Sequence, residues 1–441
     1  MSGWGSWLSG DTSATDAKPN FRAVTDRAQD ALFGPLEAKD LEWTCAGGFA
    51  TETQTWYTVM QDGSWATSQI IHSSIGLWYP QVQITFKYFN PKTGEKVWKS
   101  VNVSKFVTPA PAGSGRDKSK VYDKRSCKGE QFSVLFDTLP DGSESYTIEA
   151  NMDTDLQVSY TFKRPSKSAG WKLGSGDEGG KSYFGANPST PDGYVVHRFW
   201  PHAVSDGHII HKGQAIDAKG AGMFVHAIQG MRPNLVASRW NFGNFQSKYG
   251  SDENVAAVMM EFTTTSDYGG PIGSRTVKDE ATGNAVRKRE PIVVTIGSVT
   301  VDGELVAVTG ASRGLQAPEA EPSKGSETRV YHLNTVHDPE TGYTVPQSMK
   351  FKWQGPQLIE GKASKDLVNA EVSVDLKGLI EKVDILGEIP YMVRKMVNYV
   401  AGTKPYLHQY LNPATLKITL PSKELSVEGS LFCEATFISE V

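Results

Sequence analysis

Alternation with a period of two is the feature that most restricts this chain. Val82, Ile84, Phe86 and Tyr88 alternate with Gln81, Gln83, Thr85 and Lys87. The pattern returns at Leu156, Val158, Tyr160 and Phe162 against Gln157, Ser159, Thr161 and Lys163. Successive side chains of a strand point to opposite faces, so such runs read as half-buried strands. A turn at Asn90-Pro91-Lys92-Thr93-Gly94 leads into a returning strand over Lys96–Val103. Thr55–Met60, Ala66–His72, Phe132–Asp137 and Tyr146–Asn151 read as further strands. In the second half Val255–Thr265 contains one, and Ile292–Val301 meets Leu305–Val308 across Asp302-Gly303, a strong hairpin signal. Late strands are expected at Met349–Trp353, Val368–Leu376, Thr415–Leu420 and Val427–Phe437. Hairpin after hairpin without intervening helices describes an all-β antiparallel meander. Closure into barrels is favoured over a sandwich because it removes exposed edges. A length of 441 residues exceeds what one core usually organises, so two are expected.

Charge and cysteine content remove several functional classes. Forty-five basic and 49 acidic residues leave a net charge of −4, with no polybasic run to draw nucleic acid. Cys45, Cys127 and Cys433 are odd in number and far apart, which argues for a reducing compartment rather than a disulfide framework. No apolar run approaches the ~20 residues of a membrane span, and the start lacks the form of a secretory signal. The expectation is a soluble intracellular protein in which the acceptor pattern Asn102-Val103-Ser104 stays unused.

Several segments depart from the β pattern. On a helix, Met1, Trp4, Trp7 and Leu8 of MSGWGSWLSG fall within an arc of about 120°, opposite Ser and Gly. That is how an interfacial membrane segment looks, and a frayed terminus is the alternative. Residues 11–35 read as a polar tether with helical character around Asp26–Leu32. Leu386–Ala401 is the one substantial helix expected; its stripe of Met392, Val393, Met396, Val397 and Val400 reads as packing on or plugging a barrel. Long irregular stretches at Thr108–Arg125 and Arg164–Gly193 read as lids or disordered loops, the second carrying Trp171, Tyr183 and Phe184 with which to dock.

Gly220–Gln246 is the most unusual stretch. His226, Arg232 and Arg239 sit among Phe224, Val225, Met231, Leu235, Trp240 and Phe242. Polar groups in so apolar a run need partners, either a ligand or one another across a tight junction, and the junction is favoured. His197, His202, His208 and His211 cluster nearby, but their spacing fits no zinc module. They read as structural residues on a strand pair turning at Ser205-Asp206-Gly207. No metal or cofactor is expected. No nucleotide-binding, nucleophile-elbow or metalloprotease motif occurs in a supporting context, and Asp153 and Asp155 read as solvated turn residues. A barrel without a catalytic signature most often encloses a small apolar ligand.

Several stretches resemble the fungal survival-factor family. They are ETQTWY at Glu52–Tyr57, WYPQVQITFKYFNPKTGEKVWKSVNV at Trp78–Val103 and KRSCKGEQFSV at Lys124–Val134. HRFWP at His197–Pro201 and GMFVHAIQGMRPNLVASRWNFGNFQ at Gly222–Gln246 continue the match. The resemblance implies two tandem lipocalin-like (calycin) antiparallel β-barrels, at 36–221 and 222–441, after an N-terminal docking segment and tether at 1–35. It implies non-vesicular ceramide transfer linked to survival under oxidative stress. It also implies an amphipathic N-terminus, acetylated at Ser2 after loss of Met1, that inserts Trp4, Trp7 and Leu8 into endoplasmic reticulum and Golgi membranes. The cytoplasm is the main expected compartment, with the nucleus as a further one, and the protein is expected to be a monomer. One barrel, or the crevice between the two, would hold the acyl chains of a ceramide or similar lipid. His226, Arg239, Trp240 and Asn241 are the candidate polar and aromatic contacts. The same architecture resembles fungal cyclases and hydratases that act on hydrophobic small molecules, so an enzyme is the alternative.

Overall fold

The computed structural model describes residues 18–28, 31–74, 79–273, 275–278, 283–315, 327–388 and 404–439. The candidates Ser2, Trp4, Trp7 and Leu8, and all of the expected 386–401 helix beyond a single turn at Ile385–Glu388, lie outside these residues.

The first sheet is built from β1 (Ala50–Met60), β2 (Trp65–Ser73), β3 (Gln81–Phe89), β4 (Lys96–Asn102), β5 (Phe132–Thr138), β6 (Glu144–Asn151), β7 (Leu156–Arg164), β8 (Gly193–His211) and β9 (Gly220–Gly230). All pairings are antiparallel, in the order β4-β3-β2-β1-β9-β8-β7-β6-β5. The sheet curls into a half-barrel. Its two edges are laced by one bridge, in which Val107 and Lys128 exchange backbone hydrogen bonds of 2.8 and 3.0 Å.

The second sheet contains β10 (Arg239–Ser247), β11 (Val255–Thr263), β12 (Ile292–Val301), β13 (Glu304–Gly314), β14 (Ser348–Ile359), β15 (Lys362–Asp375), β16 (Tyr406–Leu420) and β17 (Lys423–Phe437). The order β13-β12-β11-β10-β17-β16-β15-β14 returns to β13 through Ala307 and Gln357, which closes an eight-strand antiparallel barrel. The all-β, tandem-barrel expectation therefore holds. The hand-over between sheets runs through 231–238, so the expected division at 221/222 falls inside β9, a strand of the first sheet.

Aromatic side chains fill the inside of each unit. In the first, Tyr146 lies 5.1–5.2 Å from the rings of Trp56, Trp200, Phe224 and Phe136. In the second, Phe351 and Trp353 are buried, and Trp353 Nε1 donates to the Val258 carbonyl at 2.8 Å. The outer faces of the two sheets pack on each other. Trp65 stacks on Phe432 with centroids 4.7 Å apart, and Tyr57 lies 5.3 Å from Phe242. Such offset and tilted aromatic pairs add to the burial of apolar area.

Three expectations are corrected. The tether reading fails from Lys18 onward, because Phe21-Arg22 pairs with Tyr183-Phe184 as a strand and Phe21 packs edge-on against Phe262 of the second sheet. Asn20 hydrogen-bonds the Asp267 carbonyl at 2.8 Å, and Arg289 donates to the Lys18 carbonyl. Helix is confined there to Val24–Arg27. A polar segment with two or three apolar residues thus straps the joint. The second correction concerns the turn expected at Ser205-Asp206-Gly207. β8 runs through it, with Gly207 opposite Tyr160, and the chain reverses at Lys212-Gly213 instead. The loop readings of 164–193 also give way where Trp171–Leu173 and Lys181–Phe184 pair with β8, Trp171 stacking on Phe199 at 4.7 Å.

Gly222 of β9 has no room for a side chain against β1: a Cβ there would sit 1.7 Å from the Tyr57 carbonyl oxygen. Gly222→Ala is expected to cost about 3 kcal/mol or more, since the clash is with backbone in mid-ladder. Urea unfolding measures it, and a change under 1 kcal/mol would contradict the packing described.

Candidate functional site

An apolar crevice of about 360 Å³ lies where the two outer faces diverge. Thr53, Thr55 and Tyr57 of β1, Gln69 of β2, His197 of β8 and Val225, Ala227 and Gln229 of β9 form one wall. Trp240 and Phe242 of β10, Met260 of β11, Leu407 of β16 and Glu434 and Thr436 of β17 form the other. Pro233 and Asn234, on the short helix Pro233–Val236, also line it, as do Ile385 and Pro405. The volume is within the range of pockets that take small apolar ligands.

Strand alternation explains why these residues meet. Val225, Ala227 and Gln229 point one way from β9, while Phe224 and His226 point into the first unit. On β10, Trp240 and Phe242 face the crevice, while Gly243 and Phe245 face the interior of the second barrel. The Gly220–Gln246 stretch is therefore both the junction and much of the crevice wall.

The four candidate residues occupy three environments. Trp240 lines the crevice, 5.1 Å from the Phe262 ring, with His197 edge-on at 5.7 Å. Asn241 touches it, but the amide is committed inside the barrel, donating to Glu261 and accepting from His332 at 2.7 Å. Arg239 shares that interior, its guanidinium 5.9 Å from the Phe437 ring. His226 lies on the far side of the first sheet, where Nδ1 donates to the Asp40 carbonyl at 2.7 Å and Nε2 faces Glu52 at 2.8 Å.

That imidazole belongs to a buried network that sequence reasoning missed. Glu52 also accepts from the backbone of Thr44 and Cys45. Asp40 pairs with fully buried Lys172 at 2.7 Å and with Arg198 at 3.2 Å. The network fastens 40–45 across the first unit. Only the oddity of a histidine in GMFVHAIQG signalled it; Asp40 and Lys172 sit in stretches without any pattern. A second such network joins Glu261 to Thr295 at 2.7 Å and to Arg313 at 3.0 Å. His197, His202, His208 and His211 are spread along β8 with separate surroundings, His202 meeting Gln246 and Asn254, His211 meeting Glu95. The three cysteines are free thiols, and burial pushes Cys45 up to about 11, against thiolate chemistry. Among the described residues no helix is long and apolar enough to cross a membrane.

Glu434 is the crevice residue that composition did not single out. Its carboxyl accepts from Gln409 Nε2 at 2.9 Å and from Thr436 Oγ1 at 3.2 Å, and Gln409 accepts from Lys87 of the first sheet at 2.9 Å. Burial pushes the Glu434 carboxyl above the ordinary glutamate value, against the weaker pull of Gln409 and Lys87. Crevice and polar chain alike span the joint.

A half-barrel and a closed barrel packed through their outer faces, with an apolar crevice at the joint, define a tandem lipocalin-like β protein. The chain belongs to the Svf1 family, whose family profile matches residues 5–439. It is 30% identical over 439 residues to the ceramide-binding protein svf1 of Aspergillus fumigatus, covering 95% of this chain and 94% of that one. It is 30% identical over 423 residues to ceramide-binding protein svf-1 of Neurospora crassa, covering 95% and 93%. Among solved structures, CghA with Sch210972 aligns with a TM-score of 0.53 at 13% identity over 89% of both chains, a likeness of fold alone.

Acid should loosen this structure in two steps of the same sign. Burial holds His202 and His332 down to about 4, so the unfolded chain takes up their protons first and stability falls as pH drops from about 6.5 toward 4. Burial would raise Glu52, but hydrogen bonding and charge from His226, with Thr44, bring it below its ordinary 4.5. Its contribution is present above 4.5 and is lost as pH falls through the folded-state value. The urea midpoint is expected to decline steadily from pH 7 to 4, and His202→Gln to remove on the order of 3 kcal/mol of that decline. An unchanged slope in the variant would show that His202 is not held neutral.

Proposed function

We propose that this protein binds a ceramide-like lipid in the crevice between its two β units and carries it between membranes. The observation that supports the reading is the crevice itself: an apolar slot, walled by Val225, Ala227, Trp240, Phe242, Met260 and Leu407, that also holds the half-buried carboxyl of Glu434. Each methylene withdrawn from water there contributes about 0.8 kcal/mol, so an alkyl chain supplies affinity without any charged contact. The slot suits one chain of a two-chain lipid, with the second lying along Ile385 and Pro405. The names of the relatives at 30% identity point to the same ligand class. The aromatic packing inside both units favours the joint over either interior as the place for it.

The same reading includes an N-terminal docking segment. Trp4, Trp7 and Leu8 would enter the interface of endoplasmic reticulum or Golgi membranes, with Ser2 acetylated, and the transfer would serve survival under oxidative stress. Two aromatic anchors on a short segment give reversible attachment, which a carrier needs. Deleting Ser2–Gly10 is expected to abolish flotation with liposomes while leaving ceramide binding in detergent intact.

One observation favours the enzyme alternative. A carboxyl raised by burial inside an apolar slot is the sort of group that acid–base chemistry uses. Under the carrier reading, lipid extracted after prolonged incubation is recovered unchanged in mass and retention; a new product would favour catalysis.

Filling the slot tests the site. Ala227→Trp is expected to weaken uptake of labelled ceramide from liposomes about tenfold or more, with a thermal midpoint close to that of the wild type. Uptake that survives the substitution would place the lipid elsewhere.

A further inference from the structure

The chain of polar groups across the joint fixes one atom after another. Lys87 has only hydrogens to offer, so the atom of Gln409 that faces it at 2.9 Å is the amide oxygen. The Gln409 amide nitrogen must then turn toward Glu434, which it reaches at 2.9 Å. Thr436 donates to the other carboxyl oxygen at 3.2 Å. Each oxygen of Glu434 thus receives one donor, where a carboxylate has about four lone-pair sites. Both donors are neutral, and the cation stands one residue away. A half-buried carboxyl so provided for, set against an apolar wall, has acceptor capacity to spare, in contrast with buried Glu52, which accepts from Thr44 and Cys45 and pairs with His226. The spare acceptor capacity of Glu434 borders the crevice, beside Tyr57.

We propose that Glu434 is the polar anchor of the crevice, accepting the amide N–H or a hydroxyl of a long-chain lipid whose alkyl part lies against Trp240, Phe242 and Met260. The ligand class is accordingly lipids that carry hydrogen-bond donors next to the chain, such as N-acyl amino alcohols, in preference to esters that carry none. Gln409 and Lys87 act as positioning residues: they hold the carboxyl in place and use up the directions that do not face the slot. The protonation of Glu434 is consistent with this role in either form, since a neutral carboxyl still accepts through its carbonyl oxygen and can itself donate. The proposal rests on the reading of the crevice as a lipid site, and the two are separable by experiment.

The test compares two probes on three proteins. A ceramide with a labelled acyl chain and the methyl ester of a fatty acid of equal chain length are titrated into wild type, Glu434→Leu and Glu434→Gln. The anchor predicts that Glu434→Leu weakens ceramide binding about tenfold or more while the ester changes less than about twofold. Glu434→Gln, which keeps one acceptor and the size of the side chain, should lose less than Glu434→Leu. It also serves as the informative variant if the leucine form unfolds, because it should still shift ceramide and leave the ester alone. Equal effects on both probes, or on neither, would overturn the anchor while leaving the crevice as the lipid site. Failure of the wild type to take up either probe would overturn the lipid reading, and the anchor with it.

Discussion

Two neighbouring strands with both faces covered hold this molecule together. β9 ends the first sheet's path through the joint and β10 opens the second, and neither has a side in water. Antiparallel sheets commonly bury one face and wet the other. Here the second face of the strands at the joint is buried on the counterpart sheet, through Trp65 on Phe432 and Tyr57 on Phe242, while strands farther out, such as Leu156–Arg164, keep one face in water. The cost is that every polar group on the covered faces needs a partner. The structure meets that cost differently on the two sides of the joint, and the difference is where function enters.

Inside the first unit, cost and return balance. His226, Glu52, Asp40, Lys172 and Arg198 face one another within hydrogen-bonding distance, and Glu52 is stabilised in its ionised form despite burial. At the crevice, Glu434 is raised by the same burial because its donors are fewer and neutral. Two glutamates with opposite shifts in one chain, Glu52 buried and Glu434 half-buried, separate a structural pair from an incomplete one. A carboxyl with two neutral donors in a slot lined by Trp240 and Phe242 is a place where a guest with donors gains more than an apolar guest.

Strand existence was legible because period-two alternation is a local property. Gln81–Phe89 and Leu156–Arg164 appear where the pattern puts them, as does the Asp302-Gly303 hairpin. Closure into two units was also legible, through hairpin order and the stretches resembling a known family. What failed were inferences from composition at single positions. Ser205-Asp206-Gly207 has turn residues, yet Gly207 is there because a Cβ would meet the Ser159 carbonyl oxygen at 2.4 Å. Phe21 and Val24, in a stretch read as a tether, are anchored by contacts with Phe184 and Phe262, which lie far along the chain. The site candidates fared by face. His226, Arg239, Trp240 and Asn241 were chosen for polarity or aromaticity in one stretch, but a strand sends neighbours in opposite directions, so only Trp240 has its side chain in the slot proper. Glu434 was invisible because LFCEATF reads as an ordinary late strand with one charged residue, and its partners Lys87 and Gln409 are supplied by other strands.

The same geometry bears on how a guest could enter. The crevice is bounded by the outer faces of two sheets that are each tied by long ladders, so neither wall can open without breaking backbone hydrogen bonds. The β16–β17 ladder and the pairing of Leu379–Asp384 with β16 both reach Tyr406, next to Pro405, and the short helix Pro233–Val236 also borders the crevice. Walls tied in this way keep their shape, so a guest chain would enter between them end-on rather than by unravelling either sheet. That order also suits the polarity of the slot: an alkyl chain would slide past Leu407 and Met260, and the donors of the headgroup would arrive last, beside a carboxyl with acceptor capacity to spare.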